Sequence, residues 1–519
     1  MLMYTKKILS AVAAVAIVST GLFAFETNES GEIVTRNSNN ELLHGGYLGG
    51  TPSNSDLNLS TNQLGDALIF PFYKAADGWE TEIVIRNTSP HATIAKVSVY
   101  EHAGSNDAGD FNVYLSPYDV MRFTMKFEEG SVLVFSDDGS VPQKVTNPSH
   151  GVDNDDAIFK HGLEDPILTL NNLGGNEQEG YVIVYGMAQY NDGDTRTHTK
   201  YGTNTKELNY HGKHLDLFKD YRRVLDDCRN NWRSAYTTGN MVNGMMRNAV
   251  PSPDTNIGET CATTSESVLA SEGYQLENFG DVSSDTLIGT VRVYKEDGQQ
   301  SRDLLLPAKA LSNFTDENMM LWAEGEFAAL HDRRIEDGRY NVDAVLADSK
   351  TFMVSSTYYT FDKDAIANQI TVTQPMKKIL AQLVATNGSR ANSIGEYLID
   401  DGSAQGGFEL KYFLRDEDEN DPIKIPIVFE EITSPHNVGA DEIITFRDEM
   451  QLIKDTSLEL AEGAADPFKN KETSGFAYLN FIGADGEEGL PAIVTQMSGS
   501  KIGNIAQTNW IYAPTVSRD

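Results

Sequence analysis

The chain has 519 residues, with 41 Lys and Arg against 76 Asp and Glu, a formal net charge of −35 and 40% hydrophobic content. Acid excess on this scale repels phosphate backbones and anionic lipid, which argues against nucleic acid and anionic membrane surfaces as partners. The 22 Phe and 22 Tyr supply apolar area for real cores, which argues against disorder throughout, and the length suggests about two to four domains at roughly 150 residues each.

Lys6 and Lys7, the apolar run from Ile8 to Val18 and the small residues leading to Ala24 have the pattern of a secretory leader, so residues 1–24 are expected to be a signal peptide. The apolar run is shorter than the about 20 residues a spanning helix needs. Cleavage would leave 39 basic against 76 acidic residues, a net charge of −37. Residues 25–66 are rich in Asn, Ser, Gly and Thr without periodicity and read as a flexible lead-in.

From Ala67 onward strands dominate. Ile83 and Ile85 alternate with Glu82 and Arg86 before the turn Asn87-Thr88-Ser89-Pro90. Ala95, Val97 and Val99 alternate with Lys96, Ser98 and Tyr100, and Phe111, Val113 and Leu115 alternate with Asn112, Tyr114 and Ser116. Consecutive period-two strands with polar turns predict an antiparallel sheet with one buried face and one solvated face. Residues 67–205 are therefore expected to be a β-sandwich domain. Later strands are predicted at Tyr181 to Tyr185, Thr290 to Tyr294, Phe408 to Leu414 and Phe476 to Phe481.

Between them, residues 206–280 read as a helical insert, because Leu217, Phe218, Tyr221, Val224, Leu225, Cys228 and Trp232 recur at helical spacing. In an exported chain, Cys228 and Cys261 are expected to form a disulfide. Closing a loop of about 33 residues contributes about 3 to 4 kcal/mol on the chain-entropy model. A thiol nucleophile is the alternative, disfavoured because an apolar helix face raises a thiol pKa. Residues 281–519 are expected to be a second β-rich domain, with helices around Glu317 to Ile335 and Arg447 to Ala465. An internal echo suggests two related sandwich copies: Ala95 to Glu101, then Leu115-Ser-Pro117 and Phe123-Thr124, matches Gly289 to Lys295, then Leu305-Leu-Pro307 and Phe314-Thr315.

No nucleophile elbow, zinc-protease helix motif or phosphate loop is present in the sequence. His198, His211 and His214 with Asp216 could share a transition metal, although the surrounding segment is polar and loop-like. Asp153, Asp155 and Asp156 form one carboxylate cluster, and Asp416, Asp418 and Asp421 another. Hard oxygen donors at this density suit Ca²⁺, although neither cluster has the EF-hand spacing and crowding in an acidic chain also produces clusters. Ca²⁺ is the stronger of these two metal candidates.

Phe70-Pro-Phe-Tyr73, Gly78-Trp79-Glu-Thr81, Asn87-Thr-Ser89 and Asp110-Phe111 with Tyr114-Leu-Ser-Pro117 resemble a family of uncharacterised exported bacterial proteins loosely described as cell-surface proteins. Further echoes follow in Gly180-Tyr181, Asp227-Cys228 with Trp232, Gln374-Pro375 with Lys377, and Gly489-Leu-Pro491. The resemblance implies export and a surface location, with no activity or catalytic residues to carry over. The acidic segment after Phe314 departs from the pattern.

Together these features predict a mainly β protein of antiparallel sandwich domains with a disulfide-bearing insert, exported to the cell surface, the extracellular space or the periplasm. The expected role is non-enzymatic, structural or adhesive, with self-association or attachment to the cell envelope. A secreted hydrolase with its site dispersed over loops is the alternative.

Overall fold

The computed structural model describes residues 24–27, 33–36, 57–138, 140–141, 166–190, 197–199, 205–207, 279–280, 285–296, 301–315, 328–336, 339–340, 342–361, 367–377, 406–415, 427–431, 444–446, 450–454, 475–482, 489–502 and 505–512. The leader up to residue 23, Cys228, Cys261 and both carboxylate clusters (Asp153, Asp155, Asp156; Asp416, Asp418, Asp421) lie outside the described residues.

The main strands of the first pair of sheets are β1 Asn58–Leu59, β2 Ala67–Lys74, β3 Trp79–Asn87, β4 Thr93–Glu101, β5 Asp107–Leu115, β6 Val120–Glu128, β7 Ser131–Phe135, β8 Leu168–Thr169, β9 Glu179–Tyr190, β10 Leu287–Glu296, β11 Ser301–Pro307 and β12 Lys309–Ser312. They form two antiparallel sheets. Sheet I runs β1-β12-β2-β9-β4-β5 and sheet II runs β8-β7-β6-β3-β10-β11. The chain passes between the sheets at Asp77 and Gly78, whose φ values of 53° and 80° make the tight turn that closes with Trp79 N donating to Ala76 O at 2.8 Å. An Asp-Gly pair accepts positive φ at both positions with little strain.

Sheets I and II pack face to face. Phe111 of β5 meets Phe123 of β6 edge-on, with ring centroids 5.4 Å apart. A Cβ on Gly289 of β10 would lie 2.5 Å from Cζ of Phe70 on β2, so this glycine leaves the space that the ring fills. Ile83, Ile85, Val97, Phe111, Val113, Met121, Met125, Val182, Val184, Val291 and Val293 complete the buried cluster. At about 25 cal/mol per Å² of apolar area, burial of side chains of this size stabilises by roughly 1.5 to 3 kcal/mol each.

The chain continues through helix α1, Val342–Phe352, and strands β13 Ser356–Phe361, β14 Ala367–Thr373, β15 Gly406–Arg415, β16 Ile427–Glu431, β17 Ile444–Phe446, β18 Met450–Lys454, β19 Gly475–Ile482, β20 Ile493–Ile502 and β21 Ile505–Tyr512. Sheet III runs β13-β19-β15-β16, with β17 also on β15, and sheet IV runs β18-β14-β20-β21. The predicted strands near residues 81, 95, 111, 181, 290, 408 and 476 are all present, within β3, β4, β5, β9, β10, β15 and β19. The protein is mainly β with antiparallel sheets.

Four expectations are corrected. The boundary at residue 281 does not separate two bodies, because β10 pairs with β3 from Leu287↔Asn87 to Lys295↔Trp79, and β12 pairs with β2. For the same reason the echo is not a repeat of two sandwiches: β4 belongs to sheet I and β10 to sheet II of one body. A period-two pattern reports that one face is buried, not which sheet the strand enters. Of the helix expected over Arg447 to Ala465, the described residues Met450–Lys454 form a strand instead, paired with β14, since a hydrogen-bonded neighbour overrides local propensity; the remainder lies outside the described residues. The lead-in holds a hairpin, Ala24–Thr27 with Ile33–Arg36, and Leu57 and Asp66 at its end are buried.

Candidate functional site

The residues with the richest chemistry lie on the outer face of sheet I, where solvent was expected. Strand β3 of sheet II shows the expected alternation of buried and half-buried residues, whereas β2 and β4 are buried along their whole lengths. The register shows which residues share the covered face. Lys96 stands opposite Asn112 on β5 and Tyr185 on β9, Ser98 opposite Asp110 and Ile183, and Tyr100 opposite Tyr181. These are the polar positions of the alternating pattern, yet Lys96, Ser98, Asp110 and Asn112 are all buried.

Three elements cover this face. The turn Leu330–Arg334 and the residues before it meet the tyrosines: Tyr100 Oη donates to Ala328 O, and Phe314 packs 5.2 Å from the Tyr185 ring. Helix α1 contributes Val345 and Phe352, and sheet IV contributes Met450 and Ile493, to the same cluster. Thr373 Oγ1 donates to Pro71 O at 2.9 Å and Met450 N to His102 O at 3.0 Å, tying sheet IV to sheet I.

Within the layer, Tyr100 and Tyr181 stack with centroids 4.8 Å apart, and the Tyr100 and Tyr185 hydroxyls are 2.5 Å apart. Tyr73 Oη donates to Glu177 O at 2.8 Å. Burial holds the Tyr73, Tyr100 and Tyr185 hydroxyls protonated far above the usual phenol range. Lys96 forms an ion pair with Asp110, and Lys74 with Glu179.

Asp348 of α1 is fully buried and carries four donors. Oδ2 accepts Arg333 Nη1 and Arg334 Nε, each at 2.7 Å, while Oδ1 accepts Arg334 Nη2 at 2.7 Å and Leu57 N at 3.1 Å. Burial lowers the Arg333 guanidinium from its ordinary value, and Asp348 opposes that shift. Such a centre holds α1, the Leu330–Arg334 turn and the start of sheet I together, and a buried carboxylate needs this many donors to offset its desolvation.

Asp66 begins β2. Its Oδ2 accepts Thr315 N at 2.8 Å and Thr315 Oγ1 at 3.1 Å, while Oδ1 has no hydrogen-bond partner among the described residues. Burial pushes its carboxyl up to about 7, the hydrogen bonds from Thr315 and Phe314 pull the other way, and nearby Asp285 adds to the rise. Lys309, opposite Ile69, is pushed down to about 8 by burial.

Other acidic side chains close loops. Glu101 accepts Ala103 N at 2.6 Å, Gly104 N at 2.8 Å and Asn106 N at 3.0 Å across the β4–β5 turn. Glu177 accepts Leu173 N at 2.9 Å and Gly175 N at 3.0 Å. Asp66, Asp110, Asp332, Asp348, Glu101 and Glu177 are all buried.

Among the described residues, no three His, Cys, Asp or Glu side chains are grouped to hold a metal, and no helix is long and apolar enough to cross a membrane. Of the histidine candidates, His198 falls in the strand Thr197–Thr199, while His211, His214 and Asp216 lie outside the described residues. The sequence pattern does not single out Lys96, Asp110, Asp66 or Asp348 as buried. The available signal was the tyrosines at 100, 114, 181 and 185: large aromatics at the positions where a solvated face carries small polar or charged residues. Comparisons with family models, with curated proteins and with solved structures return no match for this chain.

Proposed function

We propose that this protein is exported and serves as a non-enzymatic structural or adhesive element of the cell surface or periplasm, built from antiparallel β-sandwiches. The leader pattern and the resemblance to exported cell-surface proteins support export. The observation that carries the structural role is the covered face of sheet I. There, the charges and hydroxyls are buried and engaged in ion pairs and in hydrogen bonds between elements. A catalytic or ligand site needs groups that a dissolved molecule can reach; these join one layer of the molecule to the next.

Fractionation of the native cells with an antibody tests this reading. Recovery in the surface-bound pool supports it, recovery wholly in the cytoplasm overturns export, and a wholly periplasmic, freely soluble pool overturns the surface role. Ca²⁺ bound at Asp153, Asp155 and Asp156 or at Asp416, Asp418 and Asp421 belongs to the same proposal. Calorimetric titration is expected to show heat of Ca²⁺ binding and a raised Tm; no heat and an unchanged Tm would remove the ion from it.

A further inference from the structure

Among the described residues, three buried or half-buried ion pairs attach to sheet I, and their chemistry differs. Arg333 and Arg334 share Asp348, and a guanidinium stays protonated and does not act as a nucleophile. Lys74 meets Glu179, but Glu179 is 16% exposed, and Asp77, 74% exposed, lies 3.6 Å from the same ammonium, so water reaches this pair. Lys96 and Asp110 combine a primary amine and a carboxylate at 0% and 2% exposure.

We propose that Lys96 and Asp110 condense into an intramolecular amide, so that the mature protein carries a covalent cross-link between β4 and β5. The two residues lie diagonally across neighbouring antiparallel strands, Lys96 opposite Asn112 and Asp110 opposite Ser98, so both side chains stand on one face. That diagonal is within reach of a long side chain. Proton transfer inside the pair makes Lys96 a neutral amine and Asp110 a carboxylic acid. Nζ attacks Cγ; the Nζ–Cγ bond forms and the Cγ–OH bond breaks. The hydroxyl leaves as water with one proton from the amine, and the oxygen left on Cγ is the amide carbonyl. Atoms and charge balance without a cofactor, oxidant or second substrate.

The interior favours each stage. Holding amine and carboxyl in contact replaces an encounter between separate molecules. Two desolvated charges become one neutral amide, which removes the cost of keeping an ion pair out of water. The expelled water leaves a site covered by Tyr100, Tyr185 and the residues packed on them, so hydrolysis needs water to re-enter. Strand β5 is the edge of sheet I, and the bond would fasten that edge to its neighbour.

Intact-mass measurement of the purified, denatured full chain tests the proposal. The expected mass is one water below that of the processed sequence. After cleavage at Glu101, which lies between the two residues, the Lys96 and Asp110 segments are expected to stay joined and to fragment as a branched peptide. Lys96→Arg, which keeps the cation and removes the nucleophile, restores the full mass. A parent chain at full mass with linear peptides overturns the proposal, as does a loss of ammonia with Lys96 joined to Asn112. The parent measurement decides whether or not any variant folds.

Discussion

Sheets I and II are built from the same kind of strand, yet they place polar residues in opposite environments. On β3 the residues between the buried ones are half-buried, and Arg122 of the neighbouring β6 pairs with Asp137, just past the end of β7, at 57% and 39% exposure. On β4 the equivalent positions, Lys96, Ser98 and Tyr100, are sealed under Ala328–Arg334 and the layer packed with it. In water a charge pair contributes little, while under a protein layer the same pair becomes a condition of folding, because a charge left alone there has no solvent to turn to.

The strongest way to break the contrast is Asp348→Ala. It leaves Arg333 and Arg334 buried without their carboxylate, and a loss of about 3 to 5 kcal/mol is expected from urea melts. A loss below about 1 kcal/mol would mean that water enters the layer.

Next comes Asp66. Its folded value of about 7 stands above the ordinary carboxylate value, so the folded state holds this proton through the interval where the unfolded chain has released it. Stability from Asp66 is therefore fully present below about 4 and is lost as pH rises to about 7, a change on the order of 4 kcal/mol. Asp66→Asn is expected to match the parent near pH 4 and to exceed its stability at pH 8. Thermal melts of both across this range isolate the residue, and equal slopes would remove the assignment.

A matched pair sharpens the comparison further. Tyr185→Phe deletes a hydroxyl bonded to Tyr100 and to the Leu330 backbone inside the layer, and is expected to cost about 1 to 3 kcal/mol. Tyr294→Phe deletes a 2.7 Å bond to Glu80 on the half-exposed face of sheet II, where water replaces it at a cost of about 1 kcal/mol or less. Chemical denaturation of both checks the order, and a reversal would show that sheet I is not the sealed one.

The smallest effect is expected at Arg122→Ala, whose 3.4 Å pair with Asp137 is exposed; less than about 1 kcal/mol should separate it from the parent, and salt should erase the difference.

Much of the local structure is legible in residue order. The alternation at Ile83 and Ile85 places β3, and Asn87-Thr88-Ser89-Pro90 is a turn whose Asn87 Oδ1 accepts Ser89 N at 3.0 Å while Nδ2 donates to His91 O at 2.6 Å. Alternation is a local property, so it survives any choice of neighbours. The candidate layer is not legible in this way. Lys96 and Asp110 occupy positions that would suit a solvated face equally well, and Asp348, 291 residues from the backbone amide it accepts at Leu57, has no local signature. Met450–Lys454 misled for the related reason that its partner β14 lies far back in the chain.

Residue order alone thus determined the mainly β character, the positions of the clearly alternating strands and the acidic charge of this protein, because backbone geometry and hydrophobic period act over a few residues. The tertiary structure decided that β10 completes the first pair of sheets instead of opening a second. It also decided that the polar face of sheet I is an interior. Both depend on which distant segment lies against a strand, and burial, which turns Lys96 and Asp110 from two solvated charges into one sealed pair, exists only once that segment has arrived.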